Sequence, residues 1–303
     1  MAESDKHQVS ISIIGLPGSG KTTFLAALWA LVNERRVTKV LTFDSIGDND
    51  HSYLRKIVTV WHKATEQART RLTGLSAVKM NLRDAAGKVV QVAMPDAPGE
   101  DFRAMWEERE LGSVLGESLA DGNILLLLNG NKVKAPAWVV ERAAQRKATG
   151  IERAATPPKD WQPSHAPTQV QLVDLLQLIS HAPVGRAGRK IVVMISAWDK
   201  VEGERLTPDA FLKKKLPLLA QYLEAARDGW TTRVYGVSAQ GGEYDSNVAN
   251  AQPINGETPK QAVVTGSDAE RLRELDIAAK RIRLIFAEHE SNDLTEPLQW
   301  LMH

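Results

Sequence analysis

The sequence of 303 residues contains no cysteine. Disulfide bonds, thiol catalysis and cysteine-based zinc sites are therefore excluded, and the lack of thiols is typical of proteins from a reducing compartment. An excess of charge of one sign is also missing, because 38 lysine and arginine residues nearly balance 37 aspartate and glutamate residues. A net charge of +1 creates no overall field that would attract nucleic acid or an anionic membrane, so we expect no direct binding of nucleic acid.

Long hydrophobic runs are absent as well. The longest uniformly apolar runs, such as residues 124–128, are far too short to cross a bilayer, which requires about 20 residues. The first eight residues are polar, and they lack the basic start and the apolar stretch of a secretory signal. We therefore expect no transmembrane segment and a cytoplasmic location.

What the sequence does contain is an alternation of strand and helix patterns. Residues 124–128 and 191–195 are short apolar runs, as in central strands that are covered on both faces. Further strands are predicted at residues 9–14, 40–43, 77–83, 89–94 and 233–237, and helices at residues 22–33, 52–72, 169–180, 210–226 and 268–288. Turn residues 84–87 join two of the strands into a hairpin. This order predicts an α/β fold with a mostly parallel sheet and one antiparallel hairpin strand.

No internal repeat divides the chain, and we expect a single domain over residues 1–303. Helical or loop insertions are predicted at about residues 45–73, 132–167 and 241–266. The second insertion is rich in alanine and proline and is expected to be a solvated loop, with docking of a partner as the alternative. The third is polar and rich in glycine and asparagine, so we expect a mobile loop.

A glycine-rich motif lies between the first predicted strand and the first predicted helix. Residues 15–22, G-L-P-G-S-G-K-T, match the pattern G-x-x-x-x-G-K-[ST] at every fixed position. Glycines in such a loop allow successive N–H groups to face an anion, and the following helix presents its positive end to phosphates. A tight turn that binds nothing is the alternative, but it needs no Lys-Thr pair at this offset. The predicted nucleotide-binding residues of the loop are Gly15, Pro17, Gly18, Ser19, Gly20, Lys21, Thr22 and Thr23.

Lys21 and Thr22 have distinct predicted roles in this motif. The Lys21 ammonium would bridge β- and γ-phosphate oxygens, which makes it a candidate catalytic residue, and the Thr22 hydroxyl would bind Mg²⁺. The motif therefore predicts the three-layer sandwich of P-loop NTPases, with a nucleotide and Mg²⁺ as ligands.

Motifs further along the chain resemble, in the same order, those of the translation-factor-related and Ras-like (TRAFAC) GTPases. Those proteins have Asp-x-x-Gly after a strand, and this chain has Asp96-Ala97-Pro98-Gly99 directly after the hairpin. The resemblance implies that Asp96 holds Mg²⁺ through a water molecule and that the Gly99 amide senses the γ-phosphate. A turn without a function is the alternative.

The same resemblance implies how the base is recognised. Those GTPases have Asn/Thr-Lys-x-Asp after a central strand, and this chain has Ser196-Ala197-Trp198-Asp199 after residues 191–195. Asp199 would accept two hydrogen bonds from the N1–H and N2–H₂ edge of guanine, whereas adenine presents an acceptor at N1. An aspartate in a surface turn is the alternative explanation.

Two features of the base site depart from the family pattern. Ala197 replaces the lysine whose stem packs over the base, so Trp198 or Lys200 is a candidate to stack there instead. Ser238 and Ala239 follow the last predicted strand, where those GTPases have Ser-Ala-Lys, but the third residue here is glutamine. The resemblance implies that the Ala239 amide meets the guanine 6-oxo group.

Candidate groups for hydrolysis lie before and after the hairpin. In the segment before the hairpin, Gα-type GTPases have helical material that is followed by an arginine and a threonine. By that resemblance Arg69 or Arg71 would be an arginine finger supplied in cis, and Thr73 a second Mg²⁺ ligand. An ordinary basic helix end is the alternative. Glu100 follows Gly99, where many relatives have a water-orienting glutamine, so we expect slow hydrolysis.

The insertion pattern and the C-terminal residues 296–301, E-P-L-Q-W-L, resemble the bacterial double-GTPase group. The resemblance implies GTP or GDP as ligand, a protein partner such as a second GTPase, an activator or an effector, and a place in multi-protein conflict or defence systems. The leading prediction is a Mg²⁺-dependent GTPase that hydrolyses GTP slowly as a molecular switch. A nucleotide-dependent scaffold with little or no turnover and an ATP-using P-loop enzyme are the alternatives.

Overall fold

The computed structural model describes residues 9–66, 77–95, 105–108, 110, 113–120, 122–136, 144, 148, 162–181, 185, 187–225, 227–248, 262–264 and 268–303. The strands in these ranges are β1 (Val9–Ile14), β2 (Thr42–Ile46), β3 (Ala77–Arg83), β4 (Val89–Pro95), β5 (Asn123–Asn129), β6 (Lys190–Ser196), β7 (Thr231–Ser238), β8 (Ser246–Val248), β9 (Ala262–Val264), β10 (Arg283–Phe286) and β11 (His289–Ser291). The helices are α1 (Lys21–Asn33), α2 (Asp48–His62), α3 (Ser113–Ala120), α4 (Thr168–Ile179), α5 (Pro208–Lys215), α6 (Pro217–Glu224), α7 (Ala269–Arg273) and α8 (Glu296–Met302).

Nine of these strands form one sheet in the order β11-β10-β7-β6-β5-β1-β4-β3-β2. The five central strands, from β7 to β4, are parallel to one another, so their carboxyl ends meet at one edge of the sheet. On one side β3 pairs antiparallel with β4 and with β2, and on the other β10 pairs antiparallel with β7 and with β11. The predicted α/β class is confirmed. The predicted antiparallel hairpin strand is β3, and the structure contains a second strand, β10, that runs antiparallel to the central strands.

Helices cover both faces of this sheet. Successive side chains along a strand point to opposite faces of the sheet. One buried cluster joins α1, α2 and α8 to side chains of one face, such as Leu125 and Val192, and the other joins α4, α5 and α6 to side chains of the opposite face, such as Leu126 and Val193. Because both faces are covered, residues 124–128 of β5 and 191–195 of β6 are all buried. This explains why these two strands have uniformly apolar sequences rather than alternating ones.

Several predicted elements differ from those observed. The helix predicted at residues 52–72 begins at Asp48 and ends at His62, so its predicted part at residues 63–66 is wrong, and residues 67–72 lie outside the described ranges. Ala64 has a φ of +48°, a left-handed conformation that a helix cannot contain. The strand predicted at residues 40–43 is observed at Thr42–Ile46.

Two further helix predictions, both in the C-terminal half of the chain, are corrected by the structure. The helix predicted at residues 210–226 is divided into α5 and α6 at Leu216, because Pro217 disfavours a helical conformation for the residue before it. The closing helix predicted at residues 268–288 is wrong. That segment forms the short helix α7, a 3₁₀ turn at Ala278–Arg281 and the strand β10.

The predicted insertions are described only in part. Both ends of the insertion at residues 241–266 are ordered into a small antiparallel sheet, in which β8 pairs with β9. Most of residues 132–167 lies outside the described ranges.

None of the helices in the described ranges combines the length with the apolar character that crossing a membrane would require.

Candidate functional site

The glycine-rich loop connects the carboxyl end of β1 to the start of α1. Gly15, Gly18 and Gly20 have φ values of +154°, +74° and +92°, which residues with a Cβ atom rarely adopt. Gly15 also passes so close to β5 that a Cβ there would overlap the carbonyl oxygen of Leu127. The conformation of the loop therefore requires glycine, as the motif predicts.

In the part of the chain that the structure describes, no side chain caps the start of α1 or competes there with an anion. Gly20 occupies the N-cap position, no side chain caps the first turn, and that turn contains no acidic residue. The first N–H groups of a helix have no partner within the helix and carry its positive end. Thr22 and Thr23 lie half-buried in this turn, whereas Pro17 and Gly18 are exposed in the preceding loop.

Two neighbouring strands hold the loop in place through their last residues. The Ser196 hydroxyl at the end of β6 donates to the Ser19 carbonyl over 2.7 Å, and the Asn129 amide at the end of β5 donates to the Gly18 carbonyl over 3.1 Å. The Ser19 N–H itself donates to the Leu16 carbonyl over 3.1 Å. The roles of Ser196 and Asn129 were not predicted from the sequence, although both are polar residues that end an apolar strand.

Lys21 folds back over the loop. Its Nζ donates to the carbonyl oxygen of Gly15 over 2.6 Å and to that of Leu16 over 3.3 Å. Burial lowers the pKa of Lys21 from 10.5 to about 8, because a partly desolvated ammonium group loses its hydration. An anion beside this ammonium group would offset that penalty.

The loop also contains a buried polar atom that protein groups leave unsatisfied. Among the described residues, the Ser19 hydroxyl has no hydrogen-bond partner, and Ser19 is only 3% exposed. Such a group costs about 1–3 kcal/mol when it stays unpaired. A loop with this orphaned hydroxyl, a buried ammonium group and an uncapped helix start is suited to a polar anionic ligand.

A second group of predicted residues lies at the ends of β6 and β7. Asp199 lies in a 3₁₀ turn directly after β6, and its Oδ1 accepts a hydrogen bond of 2.7 Å from the Ser238 hydroxyl at the end of β7. The Gly241 N–H donates to the same hydroxyl over 3.2 Å. The structure thus brings Asp199, Ser238 and the adjoining Ala239 together, on the same edge of the sheet as the glycine-rich loop.

The side chains next to Asp199 differ in their accessibility. Trp198 is only 4% exposed, and its ring packs so closely on Gly236 that a Cβ there would lie 2.5 Å from it. It also forms an edge-to-face contact with Phe211 at 5.7 Å. Trp198 is therefore a core residue, and the expectation that it stacks on a base is wrong. Lys200 is exposed and lies 3.6 Å from a carboxylate oxygen of Glu243.

The remaining predicted site residues lie outside the described ranges. They are Arg69, Arg71, Thr73, Asp96, Gly99 and Glu100.

A family model described as Double-GTPase 1 matches residues 12–301, which is nearly the whole chain. No curated protein matches.

Among solved structures, the GTPase-like domain of Saccharomyces cerevisiae Ski7 bound to GTP is 14% identical, with a TM-score of 0.39 over 87% of this chain and 48% of that one. The same domain bound to GDP and inorganic phosphate is 14% identical, with a TM-score of 0.41 over 83% and 47%. A Plasmodium falciparum protein described as nucleolar GTP-binding protein 1 is 14% identical, with a TM-score of 0.32 over 78% and 80%. The chain spans about half the length of the two Ski7 chains.

Proposed function

The chain belongs to the Double-GTPase 1 family, a family of GTP-binding proteins, and from this premise we propose that it binds GTP with Mg²⁺ and hydrolyses it slowly as a molecular switch. The observation that carries the proposal is the loop of residues 15–22, with Lys21 held 2.6 Å from the Gly15 carbonyl above an uncapped helix start. Backbone N–H groups, the helix start and the ammonium group would together bind the terminal phosphates.

The base site follows from the pair of Asp199 and Ser238. One oxygen of the Asp199 carboxylate accepts from the Ser238 hydroxyl, so the orientation of the side chain is fixed before a base arrives. In our proposal this carboxylate accepts hydrogen bonds from the N1–H and N2–H₂ groups of guanine. An adenine base would place its N1 acceptor against the same carboxylate, which favours GTP over ATP.

The residues at the phosphate end fit Mg²⁺ in its usual environment. Mg²⁺ in nucleotide sites is held by few protein oxygens together with phosphate oxygens and water. We propose that the hydroxyl groups of Thr22 and Thr73 are two such oxygens and that Asp96 holds the ion through a water molecule. When bound, the ion would neutralise charge on the phosphates. Lys21 contributes a second positive charge beside them.

Hydrolysis and switching are the further parts of the proposal. Glu100, Arg71 and Lys21 are the proposed catalytic residues, and the absence of a glutamine after Gly99 supports slow turnover. Segments 69–73 and 99–109 would become ordered with GTP and be released after hydrolysis. A protein partner such as a second GTPase, and a role in bacterial conflict or defence, remain predictions from the family resemblance.

Release of phosphate under multiple-turnover conditions tests the enzymatic part. We expect slow release from GTP that requires Mg²⁺, stops when Mg²⁺ is chelated and is lost in Lys21→Ala. An Arg35→Ala variant, which removes an exposed cation outside the site, is the control and should be unaffected. If the protein binds GTP but releases no phosphate above the rate in buffer, the scaffold alternative replaces the proposed enzyme.

A further inference from the structure

The inserted helix α2 is in direct contact with the loop that follows β7. Trp61 lies in the last turn of α2, is completely buried, and donates its indole N–H to the carbonyl oxygen of Ala239 over 2.9 Å. These two residues are 178 positions apart in the chain. Ala239 directly follows Ser238, the residue that orients Asp199.

A buried arginine fixes Trp61 in this position. Arg281 is only 4% exposed, its guanidinium carbon lies 4.2 Å from the centre of the Trp61 ring, and its Nη1 donates to the Trp61 carbonyl over 2.9 Å. Three further N–H groups of Arg281 donate to the hydroxyl of Tyr244 and to the carbonyl oxygens of Leu272 and Ala278. A buried guanidinium group with this many acceptors is held in one orientation.

The loop after β7 packs against the same arginine. Gly241 has a φ of +82°, and a Cβ at this position would lie 2.5 Å from the carbonyl oxygen of Arg281. On the opposite side of the loop, the Gly241 N–H and the Asp199 carboxylate share the Ser238 hydroxyl. Residues 238–241 are therefore fixed between Asp199 on one side and the Trp61–Arg281 pair on the other.

We propose that Trp61 is a positioning residue that determines base specificity, because its indole N–H fixes the Ala239 carbonyl and thereby the course of the loop that contacts guanine. This inference rests on the proposed binding of a guanine nucleotide between Asp199 and Ala239. The Ala239 carbonyl and the Gln240 N–H belong to one planar peptide group, so the indole hydrogen bond fixes that plane on one side of Ala239, and the hydrogen bonds of the Ser238 hydroxyl hold the chain on the other side. Without the indole donor, the loop would sample orientations in which the Ala239 N–H no longer faces the 6-oxo group.

The chain that leaves α2 also pairs with a residue that follows residues 238–241. The Glu66 N–H donates to the Asp245 carbonyl over 2.9 Å, and the Asp245 N–H donates to the Ala64 carbonyl over 3.0 Å. Residue 66 directly precedes the segment that contains Arg71 and Thr73. Trp61 therefore lies near the end of the helix after which residues 64–66 pair with the chain that follows residues 238–241.

The variant Trp61→Phe tests the proposal, because it keeps an aromatic ring and removes only the donor and part of the ring volume. We expect the ratio of GTP affinity to ATP affinity to fall about fivefold, the effect of losing one hydrogen bond of about 1 kcal/mol. The affinity for inorganic tripolyphosphate, which has no base, should stay within about twofold of its original value. Trp230→Phe is the matched control, since its buried indole donates to the Tyr222 hydroxyl at the opposite edge of the sheet.

Two results with a folded Trp61→Phe protein would overturn the inference. One is an unchanged ratio of GTP to ATP affinity, and the other is an equal loss of affinity for GTP and for tripolyphosphate. If the proposed binding of guanine nucleotide is itself wrong, the unaltered protein will show no preference for GTP over ATP. That result differs from both outcomes above, so the two failures can be told apart.

If the Trp61→Phe protein does not fold, hydrogen exchange of the Trp61 indole N–H in the unaltered protein decides the question. Addition of GDP should slow this exchange by about fivefold or more, because the base holds the loop that accepts the hydrogen bond. Addition of tripolyphosphate should leave it unchanged. Equal exchange with and without bound GDP would contradict the proposal.

Discussion

At the scale of single residues, Lys21 combines two observations that bear on nucleotide binding. Its ammonium group donates hydrogen bonds to two carbonyl oxygens of the glycine-rich loop, and burial lowers the pKa of Lys21 to about 8. Bound phosphates would stabilise the charged form and raise this pKa. Binding above pH 8 would therefore require the uptake of a proton.

The first prediction is that the affinity for GDP depends on pH through this lysine. Below about pH 8 the ammonium group is already charged, so this group contributes no pH dependence there. Above pH 8 the dissociation constant should rise by up to about tenfold per pH unit until the pKa of the bound form is reached. Calorimetric titrations between pH 7 and pH 10 measure this slope. In Lys21→Arg the guanidinium group stays charged throughout, so any remaining binding should lose the slope; a slope that persists would assign it to another group.

The second residue-scale prediction concerns Asp199. Asparagine keeps an oxygen that can accept from the Ser238 hydroxyl, but it replaces the other oxygen with an NH₂ donor. Asp199→Asn should weaken GTP binding about 10- to 100-fold, the range expected for a lost charge-assisted hydrogen bond. Binding of xanthosine triphosphate should improve, because its 2-oxo group can accept from the new donor. Competition between the two nucleotides measures the switch, and an unchanged preference would remove Asp199 from the base site.

At the scale of secondary-structure elements, the ends of β5 and β6 determine the shape of the phosphate loop. Ser196 and Asn129 donate to the carbonyl oxygens of Ser19 and Gly18, so the loop is fixed by β5, which neighbours β1 in the sheet, and by β6, the next strand along. These contacts connect residues 111 and 177 positions apart. They depend on the order of the strands in the sheet.

The third prediction is that Ser196→Ala weakens nucleotide binding without unfolding the protein. Loss of one hydrogen bond to the loop should raise the dissociation constant for GDP about fivefold. Ser180→Ala is the matched control, since its buried hydroxyl donates to the Leu176 carbonyl over 2.6 Å at the end of α4. Calorimetry and thermal unfolding of both variants separate the effects. Equal losses of GDP affinity in the two variants would mean that Ser196 has no specific role in the loop.

The elements also explain which predictions from the sequence succeeded. Continuous apolar runs predicted β5 and β6, because strands covered on both faces need no polar side chains. The helix at residues 210–226 was predicted as one continuous helix because periodicity alone ignores the effect of Pro217 on Leu216, where the chain divides into α5 and α6. The helix at residues 268–288 was wrong because strand β10 pairs with β7, and this tertiary pairing outweighs the local helix propensity of the segment.

At the scale of the whole molecule, the parallel strands place residues from distant parts of the chain along one edge of the sheet. The carboxyl ends of β1, β5, β6 and β7 carry the glycine-rich loop, Asn129, Asp199 and Ala239. In open α/β sheets this edge is where ligands bind. The sequence predicted the loop and Asp199 because they belong to local motifs.

Long-range partners of these motifs were not predictable in the same way. The contact of Trp61 with Ala239 depends on how α2 packs beside the sheet, which no local pattern encodes. The burial of Trp198 likewise depends on its fit against Gly236 in the neighbouring strand. Side chains of these types can lie in the core or at a ligand, and only the assembled fold distinguishes the two.

The central claim is that the chain binds guanine nucleotides through the loop at residues 15–22. Calorimetric titration of the full chain with GTP and with ATP, each in the presence of Mg²⁺, tests this claim most directly. We expect one bound GTP per chain, ATP binding that is at least about 10-fold weaker, and GTP binding that is strongly reduced in Lys21→Ala. No heat of binding with millimolar GTP, tighter binding of ATP, or an unchanged affinity in Lys21→Ala would contradict it.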